Sequence, residues 1–130
     1  KKNVRFASMA EHSPLLICQA GAVINFASSV GLEALLQGKP VCNPTYLNGN
    51  STIFDDSGVV VDAGNDTEVL DFIDSVRNGS IPARDETVWL SFHRRYVLGD
   101  RENLEVLGDY LQLLLPESMA EPDVGEAAIH

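Results

Sequence analysis

Positive charge is scarce in this chain. Nine Lys and Arg stand against nineteen Asp and Glu in 130 residues, a formal net charge of −10. Nucleic-acid binding needs Lys and Arg to displace counterions from phosphates, so the balance excludes it as a general activity. It excludes docking by charge on an anionic membrane for the same reason. A small anionic ligand held by backbone amides stays open. Cysteine is scarce too. Cys18 and Cys42 are the only two, and neither has a Cys or His at metal-ligand spacing, so no metal is expected. Each lies in an apolar run, which predicts buried free thiols and a reducing compartment. No apolar run approaches the ~18 residues of a membrane span, and the first residues do not read as a secretory signal. The expected location is cytoplasmic, or at the inner face of the membrane.

What is present reads as one globular domain. A chain of 130 residues with 45% apolar content can bury roughly two-thirds of its unfolded surface. Acid is concentrated at Asp55, Asp56, Asp62, Asp66, Glu68, Asp71 and Asp74, and again at Glu117, Glu121, Asp123 and Glu126. The first group reads as a solvated face and the second as a solubilising tail. The domain is expected over 1–115, with 116–130 an acidic, disordered tail. The chain opens on Lys1-Lys2 without Met and runs almost directly into a strand, so a piece of a longer chain is expected.

Hydrophobic periodicity sets the element order. Val4 to Ala7 is a short β-like run. Pro14 to Ala20 reads as a helix capped by Ser13, with proline at its first position. Ala22 to Phe26 is a nearly continuous apolar run, the pattern of a central parallel strand buried on both faces. Ser29 to Gln37 is helical and stops at Gly38, and Val41 to Asn43 is the next strand. A polar loop over 44–57 precedes a β-branched run from Gly58 to Val61. Asp66 to Arg77 is amphipathic, with Thr67 or Asp66 as its cap. Helices are expected over Thr87 to Leu98 and Arg101 to Leu115, with Arg94, Arg95 and Arg101 pairing with the acidic 55–74 region. Short strands alternating with helices mean an α/β fold, a Rossmann-like parallel sheet of about four strands flanked by helices. Four strands are few for a complete doubly wound domain, which predicts that a βα unit is missing.

The strand–turn–helix at Ala22 to Gln37 is where chemistry is expected. A turn there leaves backbone N–H groups at a helix start, where α/β proteins bind phosphate. Ser28 or Ser29 would cap one orphan amide, leaving the N–H groups of Val30 and Gly31 free. Gly31, lacking a side chain, would let a ligand approach the backbone. Glu33 shares a helix face with Ser29 and could accept from both hydroxyls of a ribose. The same residues also make an ordinary serine cap with a first-turn acid. The loop over 44–57, longer than most connections, follows a strand C-terminus and carries Asn50 and Thr52 as further ligand contacts. His12 follows the first strand and could overhang the cleft. His93 reads as a surface residue, and neither is assigned as a catalytic base.

The run INFASSVGLEALLQGKPV, from Ile24 to Val41, resembles the C-terminal nucleotide-binding domain of GT-B glycosyltransferases. It is most similar to the bacterial capsule and surface-polysaccharide biosynthesis group. Ser28, Ser29, Gly31, Leu32, Glu33, Ala34, Leu35, Gly38, Lys39, Pro40 and Val41 carry the likeness. GVVVDAGNDTEVLDFI, from Gly58 to Ile73, continues it more loosely. The resemblance implies the C-terminal half of a GT-B enzyme that binds a nucleotide sugar, with the donor phosphate on Ser28 and Ser29 and the ribose on Glu33. Many retaining members carry a second Glu eight residues earlier. Here that residue is Asn25, which leans towards the Ser-Ser type, some of which use CMP-activated sugars. No metal is implied. The acceptor domain, which usually supplies the base, would be missing, so the isolated chain would not turn over. Two other readings are a nucleotide-sugar 2-epimerase-like domain and a non-catalytic interaction module that self-associates through an exposed sheet edge.

Overall fold

The structure, a computed structural model, describes residues 3–114. The tail expected over 116–130 lies outside the described residues. The chain divides into two compact units, one ending at Leu90 and the other beginning at Ser91.

The first unit is α/β. Its strands are β1 (Val23–Ile24), β2 (Val41–Pro44) and β3 (Val61–Ala63), all parallel, in the order β1-β2-β3. Around them lie the helices α1 (Ser13–Gln19), α2 (Val30–Leu36) and α3 (Asp66–Asn78). This is the helix-flanked parallel sheet that the alternation of short strands and helices predicts, and it is compatible with a Rossmann-like plan.

The pairing register sorts the two faces of the sheet. Ile24 pairs with Cys42 and Cys42 with Val61, so these residues share one face with Ala63. There α3 packs, with Phe72 against Cys42 and Ala63 and with Val69, Ile73 and Val76 around them. Val23, Val41, Asn43 and Asp62 point to the other face, which α2 covers with the buried side chains of Ala34 and Leu35. Burial pushes the Cys42 thiol above its usual range, and the nearby Asp62 carboxylate adds to this.

Several sequence expectations shift. The central strand is β2, whose four residues are all buried. The Ala22–Phe26 run instead supplies a two-residue edge strand, with Phe26 60% exposed. Apolar composition cannot tell a central strand from an edge one, because burial depends on what lies alongside. Val4–Ala7 forms no strand, so three strands are described rather than four. The last strand begins at Val61, because Gly58 bends the chain before it at a φ of +74°. Cys18 is exposed, not buried, since the buried stripe of the two-turn α1 is occupied by Ile17.

Helix ends also differ from expectation. Ser13 lies inside α1, whose cap position is His12 and has no side-chain bond. Asn65, rather than Asp66 or Thr67, caps α3: its side chain accepts from Glu68 N, and Glu68 accepts in return from Gly64 N and Asn65 Nδ2. That reciprocal arrangement satisfies several orphan donors at once. Gly79, at a φ of +67°, closes the helix.

Helix α4 (Glu86–Tyr96) crosses the boundary between the units, and Asp85 caps it through the N–H groups of Thr87 and Val88. The second unit contains the end of α4 and all of α5 (Asn103–Leu114). In it Arg94 pairs with Glu102, and Arg101 with Asp109 and Glu105. Partners a few residues along the chain can be reached at little entropic cost. No helix among the described residues is long and apolar enough to cross a membrane.

Candidate functional site

The C-terminal ends of the strands bring together most of the residues that the sequence singles out. Asn25 follows β1 and is 3% exposed. Ser28 and Ser29 form the exposed turn above it, and Val30, Gly31 and Glu33 lie in the first turn of α2. One further step of the register sets Asn25 beside Asn43 on β2, which in turn pairs with Asp62 on β3. Three polar side chains thus form a row across the sheet on the face that α2 covers.

Gly31 makes this close approach work. A Cβ on Gly31 would stand 2.6 Å from Asn25 Nδ2 and 3.2 Å from Phe54 Cζ. The missing side chain therefore serves the packing of Asn25 and Phe54 against the helix. Asn25 Nδ2 has no hydrogen-bond partner among the described residues, and a buried donor without an acceptor is costly.

The turn differs from expectation in one chemical respect. The N–H groups of Val30 and Gly31 are not free. Val30 N donates to Ser28 Oγ at 3.3 Å, and Gly31 N to the Ser28 carbonyl at 3.1 Å. A short first turn closes on its own carbonyls once Ser28 folds back over it. The amides that stay without a partner among the described residues are those of Ser28 and Ser29, and the Ser29 hydroxyl makes no capping bond. Ala27 opens the turn at a φ of +52°, a left-handed conformation that costs an L-residue about 1–2 kcal/mol. Ala27→Gly should therefore stabilise the unit by about 0.5 kcal/mol, the relief slightly exceeding the added entropy of the unfolded chain. Chemical denaturation would measure this, and a loss of stability would mean that the turn is not left-handed.

Glu33 is half-buried and accepts a 3.3 Å hydrogen bond from Ser13 Oγ across the α1–α2 contact. That contact brings the start of α1, and with it the exposed His12, next to the turn. Nothing in the sequence around Ser13 signals this pairing, because the two residues stand 20 positions apart.

The loop after β2 is built, not loose. Thr45–Leu47 is a 3₁₀ turn. Thr52 is committed to the loop itself: its hydroxyl donates to Asp55 Oδ1 at 2.8 Å and accepts from Phe54 N. Asn43 Nδ2 donates to Asp55 at 2.9 Å and to Asp62 at 2.8 Å, and Asp62 also accepts from Asp56 N. The Thr52 backbone N–H, then its hydroxyl, then Asn43 hold the Asp55 carboxyl below the usual carboxylate range. Asn50 is exposed at the tip, its N–H bonded to Asn48 Oδ1. Further along the same edge, Tyr46 donates to Asp66, which raises the Tyr46 hydroxyl above its usual pKa.

A cleft of about 650 Å³ opens at the other end of the sheet, where Gly38, Pro40, Val59, Ile81, Pro82 and Arg84 line it. It contains none of the predicted site residues. Its two cations are tied to the scaffold: Lys39 Nζ donates to the Cys18 carbonyl, and Arg84 donates to the Leu35 carbonyl while stacking 4.1 Å from the Trp89 ring centre. Ligands of parallel α/β sheets gather at the strand C-termini. We therefore place the candidate site at the Asn25–Gly31 turn rather than in this cleft. No group of three or more His, Cys, Asp or Glu among the described residues is placed to hold a metal ion. Compared with the models of known families, with curated proteins and with solved structures, the chain matches none.

Proposed function

We propose that this unit is the nucleotide-sugar-binding half of a GT-B-type glycosyltransferase acting in cell-surface polysaccharide assembly. The observation that carries the reading is the exposed Ser28–Ser29 turn at the C-terminal end of β1, whose two N–H groups and Ser29 hydroxyl have no partner among the described residues. A ligand at that turn would meet the Ser28 and Ser29 N–H groups and the free Ser29 hydroxyl. Glu33, half-buried one turn further on, would accept from ribose hydroxyls after exchanging its bond to Ser13. Donors fixed in this way would stabilise negative charge growing on the leaving phosphate during transfer. The acceptor and the general base would come from a separate domain, so this unit alone would bind without turnover.

Titrating the isotope-labelled chain with CMP, CDP, UDP and GDP by NMR tests the reading. Shifts centred on Ser28 to Glu33 are expected with one base preferred, and Ser29→Ala should abolish them while leaving the spectrum folded. A well-folded chain that shows no shift with any of the four would overturn it.

One observation favours a second reading, a non-catalytic interaction module. Two of the expected amides at the turn are already bonded, and the same end of the sheet carries Asp55 and Asp56 in the loop after β2, Asp62 in β3 and Asp66 at the start of α3, which disfavour an anion. Self-association without nucleotide affinity would support that module.

A further inference from the structure

A segment with a strand pattern but no strand pairing, and an open sheet edge, occur together among the described residues. Val23 donates to the carbonyl of Pro40, just before β2, and Asn25 to that of Cys42 on β2. In a parallel ladder the N–H and C=O of the residue between them, Ile24, then face the open side of the sheet. No strand covers that side among the described residues. The face above it is apolar, with Ile24 36% and Phe26 60% exposed. The segment Asn3 to Ala7 alternates Val4 and Phe6 with Arg5, a strand pattern, yet Val4 is 81% and Phe6 93% exposed. Arg5 pairs with both Glu11 oxygens at 2.7 and 2.8 Å, and Ser8 N donates to the same carboxylate. That clamp folds residues 5–11 onto the approach to α1, and no strand pairs with the segment among the described residues.

We propose that residues 3–7 add as a fourth strand to the β1 edge of a second copy, and that the two copies exchange these strands to form a two-fold dimer. The occupant follows from the chain itself. Each copy offers one such segment, and of its two sheet edges the β1 edge is the one that carries the exposed pair Ile24 and Phe26; reciprocal exchange uses both segments and closes the dimer, with the β3 edges outside it. Val4 and Phe6 would stand as cross-strand neighbours of Ile24 and Phe26. Phe6 and Phe26 carry about 150–250 Å² each. Two copies of both, with Val4 and Ile24, reach roughly 1,000 Å², the area a specific interface must clear. Charge favours the pairing as well. Three cations, Lys1, Lys2 and Arg5, lie in or just before this segment in a chain of net charge −10, so it is attracted towards a second copy.

The test is light scattering after size exclusion on the full chain over a concentration series, with amide exchange at Ile24. A dimer with a protected Ile24 amide is expected. Phe6→Asp should weaken dimerisation at least ~100-fold, because two Phe6 side chains leave each interface. It should not disturb the fold, since that side chain is 93% exposed. Ile24→Pro removes only an outward N–H, which an edge strand tolerates, and should also give monomers. A wild-type chain that stays monomeric overturns the proposal, and so does a dimer unaffected by Phe6→Asp. A monomer with a protected Ile24 amide would overturn it too, since the strand would then pair within its own chain.

Discussion

Gly31→Ala is expected to destabilise the first unit by about 2–3 kcal/mol, against the usual sign of a glycine-to-alanine change in a helix. Intrinsic propensity favours alanine by up to about 1 kcal/mol. Packing decides otherwise. The new Cβ would lie 2.6 Å from Asn25 Nδ2 and 2.8 Å from Asn25 Cγ, distances at which something must move. The atoms in the way belong to a residue 3% exposed, whose amide is wedged between α2 and Phe54. Overfilling such a contact costs about 1–3 kcal/mol, and displacing α2 would also strain the helix–strand packing beneath it. At about 4–8 °C per kcal/mol for a domain of this size, the midpoint should fall by roughly 10–20 °C.

The pairing with Asn25 gives the test its sharpness. Asn25→Ala alone should be close to neutral, because it removes a buried donor that makes no bond at the cost of a small void. Combined with Gly31→Ala it should recover most of the loss, since the space taken by the amide is then free. Non-additivity of this kind is the signature of two residues in contact. Additive effects would mean that α2 does not press on Asn25 as described.

How much of this was legible in sequence depends on the range of the interaction. Alternation of strand and helix patterns is local, so the α/β class, the helix after Ser29 and the stop at Gly38 can all be read from neighbouring residues. The reading of Gly31 as an opening for a ligand shows the limit. A glycine in a first turn signals that something comes close, but not what, and here it is Asn25 and Phe54. The polarity of Asn43 in an apolar run was visible. Its partners, 12 and 19 residues away, were not, because register is set by the whole sheet. The misplaced central strand has the same origin: Ala22–Phe26 is more continuously apolar than Val41–Pro44, but only the latter has neighbours on both sides. The bonded Val30 and Gly31 amides depend on which way the Ser28 hydroxyl turns, a choice made by local geometry that a Ser-Ser pair leaves open.

Asn43→Asp should be strongly damaging at neutral pH, and acid should repair it. Asn43 is 2% exposed, and its Nδ2 supplies both hydrogens that join Asp55 to Asp62. Replacing that amide by a carboxylate keeps the shape, removes the two donors and adds a third negative charge to the same spot. Asn43 is buried but the two carboxylates are only half-buried, so losing both donors at a buried position costs about 1–3 kcal/mol, a large share of the stability of an ordinary domain. The pH dependence separates charge from packing. In the wild type, Asp55 is held below its unfolded value near 3.9 by Thr52 and then Asn43. Its contribution is therefore present above that pH and is lost as pH falls through the lower folded value. In the variant the new carboxyl has two like charges beside it and no donor, so its folded pKa is raised. Its penalty is full at neutral pH and disappears as pH falls through that raised value, where a bound proton restores one donor to the network. The variant should consequently gain stability on acidification from pH 7 towards 5, a range above the unfolded carboxylate values at which Asp55 and Glu11 begin to lose their contributions. Urea midpoints measured at half-unit steps across this range would show the two curves converging. Parallel curves would mean that Asn43 does not bridge the carboxylates, and that the loop after β2 is held to the sheet by packing alone.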